Sequence, residues 1–235
     1  MFDIAKQIAE NVARVRERIA AAAARSGRRP EDVTLVAVSK YVGTDEVRAL
    51  LAAGCHDLGE SRPQELWRKA ETLGEAAIRW HLIGHLQRNK IARTLPLVSL
   101  LHSGDSLRLL EAVHAECLHM DRKVPALLEI NVSGDATKHG FHHDEVEPLG
   151  DALARLDGLQ FRGLMCMAGR EGAAEDARRE FAQLRELRDR LQTAWAGRFE
   201  LAELSMGMSG DFEIAVEEGA TLVRVGSMLF EGAGD

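Results

Sequence analysis

The sequence of 235 residues is poor in cysteine and in aromatic residues, with three cysteines, one tyrosine and an aromatic share of 5%. Cys55, Cys117 and Cys166 lie far apart without a paired spacing, which excludes a disulfide framework and a cysteine-based zinc site. Free cysteines of this kind are typical of a reducing compartment. We therefore expect a cytoplasmic protein.

The sequence also lacks a long hydrophobic run and an excess of positive charge. No apolar stretch approaches the roughly 18 uncharged residues that a membrane helix needs, and the first residues carry charges throughout, unlike a signal peptide. With 37 acidic against 30 basic residues, the net charge of −7 disfavours non-specific binding to nucleic acid or to an anionic membrane. We expect neither kind of partner.

What the sequence does have is a regular alternation of helical and strand patterns. An amphipathic helix over Ile4–Ile19 comes first, and eight short apolar runs then alternate with helical stretches. The predicted strands are Thr34–Lys40, Asp57–Gly59, Arg79–Ile83, Leu97–His102, Ala126–Val132, Leu159–Met165, Leu201–Ser205 and Thr221–Val225. This pattern predicts an α/β fold, a single (β/α)8 TIM-type barrel domain over residues 1–235 with an additional N-terminal helix. Because only Met228–Asp235 remain after the last strand and its turn, the opening helix is expected to cover the place of an eighth helix.

Polar side chains follow most of the predicted strands, at the end of the barrel where active sites of this architecture lie. They are Lys40, Glu60, Ser61, His85, His102, Ser103, Asn131, Ser133, Ser205 and Ser227. Lys40 ends an apolar strand, where partial desolvation would favour a neutral amine able to form a Schiff base. The alternative is an ordinary lysine whose charged head reaches solvent from a strand end.

Two loops have the composition of phosphate sites. Ser205–Asp211 follows the seventh strand and opens a helix, and Val225–Ser227 ends the eighth. Glycines allow close backbone approach, hydroxyls donate hydrogen bonds, and the amides at a helix start attract a dianion. The other interpretation is ordinary turn chemistry, with Ser209 or Asp211 capping the helix.

A Schiff-base lysine and a phosphate site on one barrel face fit either a sugar-phosphate aldolase or pyridoxal 5′-phosphate. Arg224 distinguishes the two, because it lies on the eighth strand two residues from a phosphate loop and could reach the ring nitrogen of a pyridine. Its alternative role is a salt bridge inside the barrel wall with Glu129 or another acid.

Motifs through nearly the whole chain resemble one known family, the pyridoxal phosphate homeostasis proteins of the YggS/PROSC type. These motifs are Val36–Lys40, Leu58–Glu65, Trp80–Lys90, His102–Asp105, Asn131–Ser133, Lys138–Gly140, Arg162–Met165, Leu204–Ser209 and Val223–Ser227. The resemblance implies a barrel like the N-terminal domain of alanine racemase. It also implies that pyridoxal phosphate is the cofactor and is attached to Lys40 as a Schiff base.

The resemblance further implies roles for individual residues. It assigns the phosphate to Ser205, Gly226 and Ser227, with backbone contacts from Met206, Gly207, Met208 and Ser209. It places Arg224 at the pyridine nitrogen and Met165 near the ring, and it matches Lys138 to a second lysine used in handling the cofactor. Ser61 departs from the family pattern, which often has asparagine there, and the contact from that loop to the cofactor is expected from Ser61 instead.

The resemblance favours a carrier over an enzyme. Racemisation needs a base on each face of the substrate adduct, and the single tyrosine, Tyr41, adjoins Lys40 and is poorly placed for the opposite face. Arginine at the ring nitrogen would also weaken the cofactor as an electron sink. We expect a monomeric protein that buffers pyridoxal phosphate or delivers it to apo forms of enzymes that need it. The alternatives are a slow racemase or decarboxylase using Lys40 with His85 or His102, and a Schiff-base aldolase.

No metal site is predicted. His139, His142 and His143 crowd one loop with Asp144, but they lack the helical spacing or a cysteine partner that would favour a metal ion. We interpret them as part of a solvated loop.

Overall fold

The computed structural model describes residues 4–74, 77–135, 138–169 and 174–233. Helix α1 (Ile4–Arg25) opens this part of the chain and buries Ile8, Val12, Val15 and Ile19 on one face, as the sequence predicts. The helix ends just before Gly27, whose φ of 70° lies in the left-handed region that glycine adopts without strain.

Eight parallel strands follow and close on themselves. They are β1 (Thr34–Val38), β2 (Asp57–Glu60), β3 (Arg79–Leu82), β4 (Val98–Gly104), β5 (Val124–Asn131), β7 (Leu159–Met165), β8 (Glu203–Ser205) and β9 (Leu222–Val225). The label β6 is kept for a two-residue strand, Phe141–His142, that lies outside this ring. Each pairs with its neighbours in chain order, β1 pairs with β9, and the pairing of β4 with β5 completes the ring. The predicted (β/α)8 barrel is confirmed.

Helices surround this sheet. They are α2 (Thr44–Ala52), α3 (Pro63–Leu73), α4 (Ile91–Thr94), α5 (Leu107–His119), α6 (Gly150–Leu153), α7 (Ala174–Ala194) and α8 (Phe212–Glu217). Helix α1 packs against α2, α8 and a 3₁₀ helix at Ser227–Phe230, so it takes the place of a helix after β9, as expected. None of the helices in the described ranges has the length and apolar character needed to span a membrane.

Two features of the fold differ from the sequence prediction. A two-residue strand, β6 (Phe141–His142), pairs with the end of β5, and it is too short to produce a recognisable pattern. The predicted helical face from Val146 to Leu156 contains only a 3₁₀ turn at Glu147–Leu149 and the four residues of α6. Pro148 lies within that turn and supplies no backbone N–H, which favours a short irregular start over a long helix.

The apolar core has two layers. The larger layer lies between the sheet and the helices, and the smaller one lies inside the barrel, where Val36, Leu100, Leu127, Met165 and Leu222 touch one another. Because side chains alternate along a strand, residues two positions away from these also face the barrel interior. Several of those positions are polar, and they form the site described next.

Candidate functional site

Lys40 lies at the mouth of the barrel, two residues beyond the end of β1. Its side chain is exposed, and the Nζ atom lies 5.1 Å from the centre of the Tyr41 ring. The predicted partial desolvation of Lys40 is therefore not found, because the strand ends at Val38 and the chain turns outward after the buried Ser39. This placement leaves the amine accessible to a ligand entering the mouth.

The backbone that carries Lys40 is supported by a buried ion pair that the sequence pattern does not predict. Lys69 on α3 donates hydrogen bonds of 2.5 Å to the carbonyl oxygen of Ser39 and to Oε1 of Glu60. The hydroxyl of Ser39 donates to the same carboxylate oxygen at 2.8 Å. A lysine on the polar-looking helix α3 gives no sequence signal for burial, so only the tertiary structure shows the pair.

Ser61 directly follows β2, at the same rim of the barrel as Lys40. The pairing of Val38 with Gly59 sets β1 and β2 in register, which brings the residues that follow each strand together. The backbone of Ser61 packs closely on Gly84 in the loop after β3, where an added Cβ atom would lie 2.3 Å from the Ser61 carbonyl oxygen. Glycine at position 84 therefore lets the two loops touch, and Ser61 is held in place by this contact.

The two predicted phosphate loops lie together on the side of the mouth formed by β8 and β9. The amide of Gly226 donates to the Ser209 hydroxyl at 3.3 Å, which links the loops. Gly207 packs against α8 with a φ of 90°, and a Cβ atom there would lie 2.5 Å from Cβ of Ala215. The amides of Gly207, Ser209 and Ser227 donate to no acceptor in the part of the chain that the structure describes, so they are available to an anion.

Other residues of these loops are already engaged. The amide of Met206 donates to the carbonyl oxygen of Leu222, and that of Met208 donates to the Asp211 carboxylate at 2.6 Å. The Ser205 hydroxyl is fully buried inside the barrel and is hydrogen-bonded to Arg224 and to His102. In this structure these three residues thus do not offer the donors expected of them, since Ser205 lies on a strand and faces inward.

Arg224 is almost fully buried on β9. Its guanidinium donates to the Ser205 hydroxyl and, at 2.7 Å, to the carbonyl oxygen of Cys166. The predicted alternative, a salt bridge with Glu129, is absent from the ion pairs of the described residues. Burial lowers the pKa of Arg224, while the negative groups around it, Asp211 and Glu129 among them, act in the opposite direction.

Hydrogen bonds continue from Ser205 through the barrel interior. The Ser205 hydroxyl lies 2.8 Å from Nδ1 of His102, and Nε2 of His102 lies 2.9 Å from Nδ1 of His81. The other nitrogen of His81 lies 3.1 Å from the carboxylate of Asp57, which also pairs with Arg79. Asp57 and Arg79 begin their strands, so the chain of contacts runs from the mouth to the opposite end of the barrel.

Ionisable side chains also line the mouth opposite the phosphate loops. Burial raises the pKa of Glu129 to about 7, and the neighbouring Asp105 acts in the same direction. Asp105 accepts a hydrogen bond of 2.6 Å from Nδ1 of His85, and the ring of His85 stacks on that of His139. At 2.6 Å the two atoms of the His85–Asp105 bond are closer than the roughly 3.3 Å between ligands of one tetrahedral zinc ion, so we assign no metal to this cluster.

Two further predicted residues lie near this site. Met165 is fully buried in the inner apolar cluster, beneath the mouth. Lys138 is half-buried, and its Nζ atom lies 3.4 Å from the carbonyl oxygens of Met167 and Ala168, in the loop after β7. A place for Met165 near the cofactor ring and a part for Lys138 in handling the cofactor stay predictions.

Comparison with known proteins gives consistent results over almost the whole chain. The family model described as "Alanine racemase, N-terminal domain" matches residues 6–233. Proteins named "Pyridoxal phosphate homeostasis protein" from Pseudomonas aeruginosa and Aquifex aeolicus are 40% and 38% identical, covering 97% and 94% of this chain and 96% of each relative. The structure of PipY from Synechococcus elongatus with PLP bound is 34% identical with a TM-score of 0.84, covering 95% of this chain and 99% of that one.

Proposed function

This chain belongs to the family of pyridoxal phosphate homeostasis proteins, and from that premise we propose that it binds pyridoxal 5′-phosphate reversibly and buffers or delivers it without strong catalytic activity. The observation that carries the proposal is the arrangement of the mouth. An exposed lysine after β1, a buried arginine on β9, and two glycine-containing loops after β8 and β9 lie on adjacent strands at one end of the barrel.

The residues at the mouth match the three functional groups of pyridoxal phosphate. Lys40 is the amine that would hold the aldehyde as a Schiff base. The amides of Gly207, Ser209 and Ser227, with the hydroxyls of Ser209 and Ser227, are the donors for the phosphate. When bound, the cofactor supplies a reactive aldehyde and an electron-withdrawing ring.

Arg224 is the group assigned to the ring nitrogen. A guanidinium only donates hydrogen bonds and stays protonated in proteins, so a ring nitrogen facing it would be left without a proton. The pyridine then withdraws electrons weakly, which disfavours chemistry at the α-carbon of an amino acid. This favours holding the cofactor over using it.

The surroundings of Lys40 also favour a carrier. Tyr41 is 83% exposed and lies beside the lysine, so it is not positioned to serve as a second base across a bound ligand. The exposed mouth would let the cofactor leave by exchange with an amine or with water. The recipients we propose are apo forms of enzymes that use pyridoxal phosphate.

We further propose that the carrier is a cytoplasmic monomer. All three cysteines are buried and unpaired, which is typical of a reducing compartment. Within the described residues, the exposed large apolar side chains are Ile4, Tyr41, Leu118 and Met167, which lie on separate elements. Scattered apolar residues of this kind do not form a dimer interface. Sedimentation at equilibrium tests the monomer.

The decisive test of the cofactor site is reductive trapping. Incubation with pyridoxal phosphate should turn the protein yellow, and borohydride should fix one pyridoxyl group on Lys40, located by peptide mass spectrometry. Lys40→Ala should bind no coloured adduct, whereas the matched variant Lys123→Ala, at an exposed lysine before β5, should behave as the wild type. Trapping on another lysine would overturn the assignment.

Delivery is tested separately from binding. The loaded protein should restore the activity of an apoenzyme that requires pyridoxal phosphate, without turning over amino acids itself. The one competing function with structural support is a slow racemase or decarboxylase, because Glu129, with a pKa of about 7, and the His85–Asp105 pair at the mouth could move protons. Rapid exchange of amino-acid α-hydrogens in deuterated water would favour that function. Cleavage of a sugar phosphate by a colourless protein would favour an aldolase.

A further inference from the structure

The interior of the barrel contains a continuous polar chain that the proposed function does not explain. From the mouth inward it runs Arg224, Ser205, His102, His81 and Asp57. Arg224 donates to the Ser205 hydroxyl, and the contacts that follow measure 2.8 Å at Ser205–His102, 2.9 Å between the histidines and 3.1 Å at His81–Asp57. The histidines and Ser205 are buried. Buried polar groups cost free energy unless they are hydrogen-bonded, and here each of the buried members has a partner within the chain.

The donor of each hydrogen bond is determined by the chemistry at the two ends. A guanidinium only donates, so the Ser205 oxygen accepts from Arg224 and its own proton is free to go to Nδ1 of His102. A carboxylate only accepts, so Nε2 of His81 carries the proton that bonds to Asp57. With neutral rings, both histidines must then carry their proton on Nε2, and every bond points from Arg224 towards Asp57.

The charge states of the chain agree with this direction. Burial would raise the pKa of Asp57, but the hydrogen bonds from His81 and Arg79 outweigh it and hold the pKa below its ordinary value. Burial lowers the pKa of His102 well below its ordinary value, and the positive charge of Arg224 acts in the same direction. Asp57 is therefore a fixed acceptor, and His102 is neutral.

We propose that Asp57, His81 and His102 are positioning residues that hold the Ser205 hydroxyl as an acceptor for Arg224 and thereby fix the guanidinium at the ring nitrogen of pyridoxal phosphate. This inference depends on the proposed function, because it concerns the same cofactor site. Asp57 is the first residue of β2 and Ser61 follows its last, a span of about 13 Å at the usual rise of a strand. The acceptor that fixes the direction of the chain thus lies far from the mouth.

The central variant is Asp57→Asn. In the wild type, Arg79 donates to both carboxylate oxygens and His81 donates to one of them. An amide has a single oxygen, so its NH₂ group must face either Nη2 of Arg79 or both Nε of Arg79 and Nε2 of His81. Either orientation sets donor against donor and removes the negative charge, so the substitution weakens the acceptor that ends the chain without changing any residue near the mouth. The double variant Asp57→Asn with Arg79→Ala removes the competing donors and lets the amide oxygen accept from His81 again.

The matched control is Glu200→Gln. Glu200 pairs with Arg162 across 3.9 Å at the same end of the barrel, is exposed, and has no contact with the interior chain. We expect Asp57→Asn to weaken the binding of pyridoxal phosphate about threefold to tenfold, as measured by titration of the visible band. The double variant should recover most of the affinity, and Glu200→Gln should match the wild type. If Asp57 served stability alone, Arg79→Ala would not restore the affinity, because it removes the other partner of the ion pair.

The tautomers can be measured without any cofactor. Ring ¹⁵N shifts of histidine-labelled wild-type protein, assigned with His81→Gln and His102→Asn, should show protonated Nε2 and unprotonated Nδ1 in both rings. In Asp57→Asn this pattern should change at His81. Protonated Nδ1 in either wild-type ring overturns the chain, even if the variants fold poorly.

The outcomes separate the two proposals. If the wild type forms no adduct on Lys40, the proposed function fails, and the positioning role fails with it whatever the tautomers are. If the wild type forms the adduct, but Asp57→Asn binds the cofactor like Glu200→Gln or the double variant shows no recovery, only the positioning role is overturned.

Discussion

The ammonium group of Lys69 lies 2.5 Å from a carboxylate oxygen of Glu60, and both side chains are fully buried. The second carboxylate oxygen, Oε2, has no hydrogen-bond partner within the described residues. The same ammonium group holds the carbonyl oxygen of Ser39, the residue before Lys40. The pair therefore fixes the backbone from which the proposed cofactor lysine projects.

Removing Lys69 should be costly. Lys69→Met leaves the Glu60 carboxylate buried with only the Ser39 hydroxyl as a donor, and breaking a buried pair in this way typically costs about 3–5 kcal/mol. The free energy of unfolding from urea denaturation measures the effect. Arg48→Ala, which breaks the exposed pair with Asp45, is the control and should cost less than about 1 kcal/mol. Equal losses in the two variants would contradict the role given to the pair.

Gly207 should not tolerate a side chain. In Gly207→Ala the new methyl group would lie 2.5 Å from Cβ of Ala215 and 2.9 Å from Cα of Phe212, on a backbone with a φ of 90°. Strain and overpacking of this kind each cost about 1–3 kcal/mol, so we expect a loss of at least about 2 kcal/mol on thermal or urea unfolding. Gly210→Ala is the control, since nothing lies within 4 Å of its Cβ position. A loss there as large as at Gly207 would count against the packing argument.

Glu129 should make the stability of the cofactor-free protein depend on pH. Its pKa is raised from 4.5 to about 7, mainly by burial, so the folded state favours the protonated carboxyl. The stabilisation of the folded state by the protonated carboxyl is fully present below pH 4.5 and is lost as the pH rises through 7. Glu129→Gln stays neutral at every pH, so its advantage over the wild type should grow from near zero at pH 4.5 to about 3 kcal/mol at pH 8.

Urea unfolding of both proteins over this pH range measures the difference. Glu200→Gln, at an exposed carboxylate, should track the wild type throughout. An advantage of Glu129→Gln that stays constant with pH would show that Glu129 is ionised in the folded protein.

The three thiols should be unreactive in the native protein. Burial raises the pKa of Cys55 and of Cys117, and it raises that of Cys166 to about 12, so none offers an exposed thiolate. An aromatic disulfide reagent at neutral pH should label none of them until denaturant is added, when all three should react. Ala21→Cys on the exposed face of α1 should add one thiol that reacts at once. Fast labelling of the native wild type would show that a thiol is exposed.

Much of the fold was accessible from the sequence because the barrel repeats a simple pattern. Each predicted strand overlaps a strand of the structure, since strands buried on both faces read as short apolar runs such as Thr34–Val38. The helix ends were less predictable. Gly150 and Pro148 break the helical pattern after β5, and the two residues of β6 are too few to produce an alternation.

The placement of the candidate residues could be predicted in part. Lys40, Ser209, Arg224 and Ser227 lie at the same end of the barrel because parallel strands bring their carboxyl ends to one side of the sheet. The buried groups were harder to place. Lys69 lies on a polar helix, where charged residues usually face solvent, and the burial of Lys69 and of His81 depends on partners on other elements. The family resemblance assigned Ser205 to the phosphate, yet its side chain faces the barrel interior.

The packing of α1 beside β9 has a consequence for how the protein folds. The amide of Asn11 donates to the carbonyl oxygen of Leu229, 218 positions further along the chain. Helix α1 can pack on α2 early, but its contacts with α8 and with the 3₁₀ turn at Ser227–Phe230 must wait until the most distant part of the sequence has folded. Contacts of such wide separation slow folding, so the ring should close in a late kinetic step. In a pulsed hydrogen-exchange experiment, amides of α1 and of the last 3₁₀ turn should gain protection together and after those of β4 and β5.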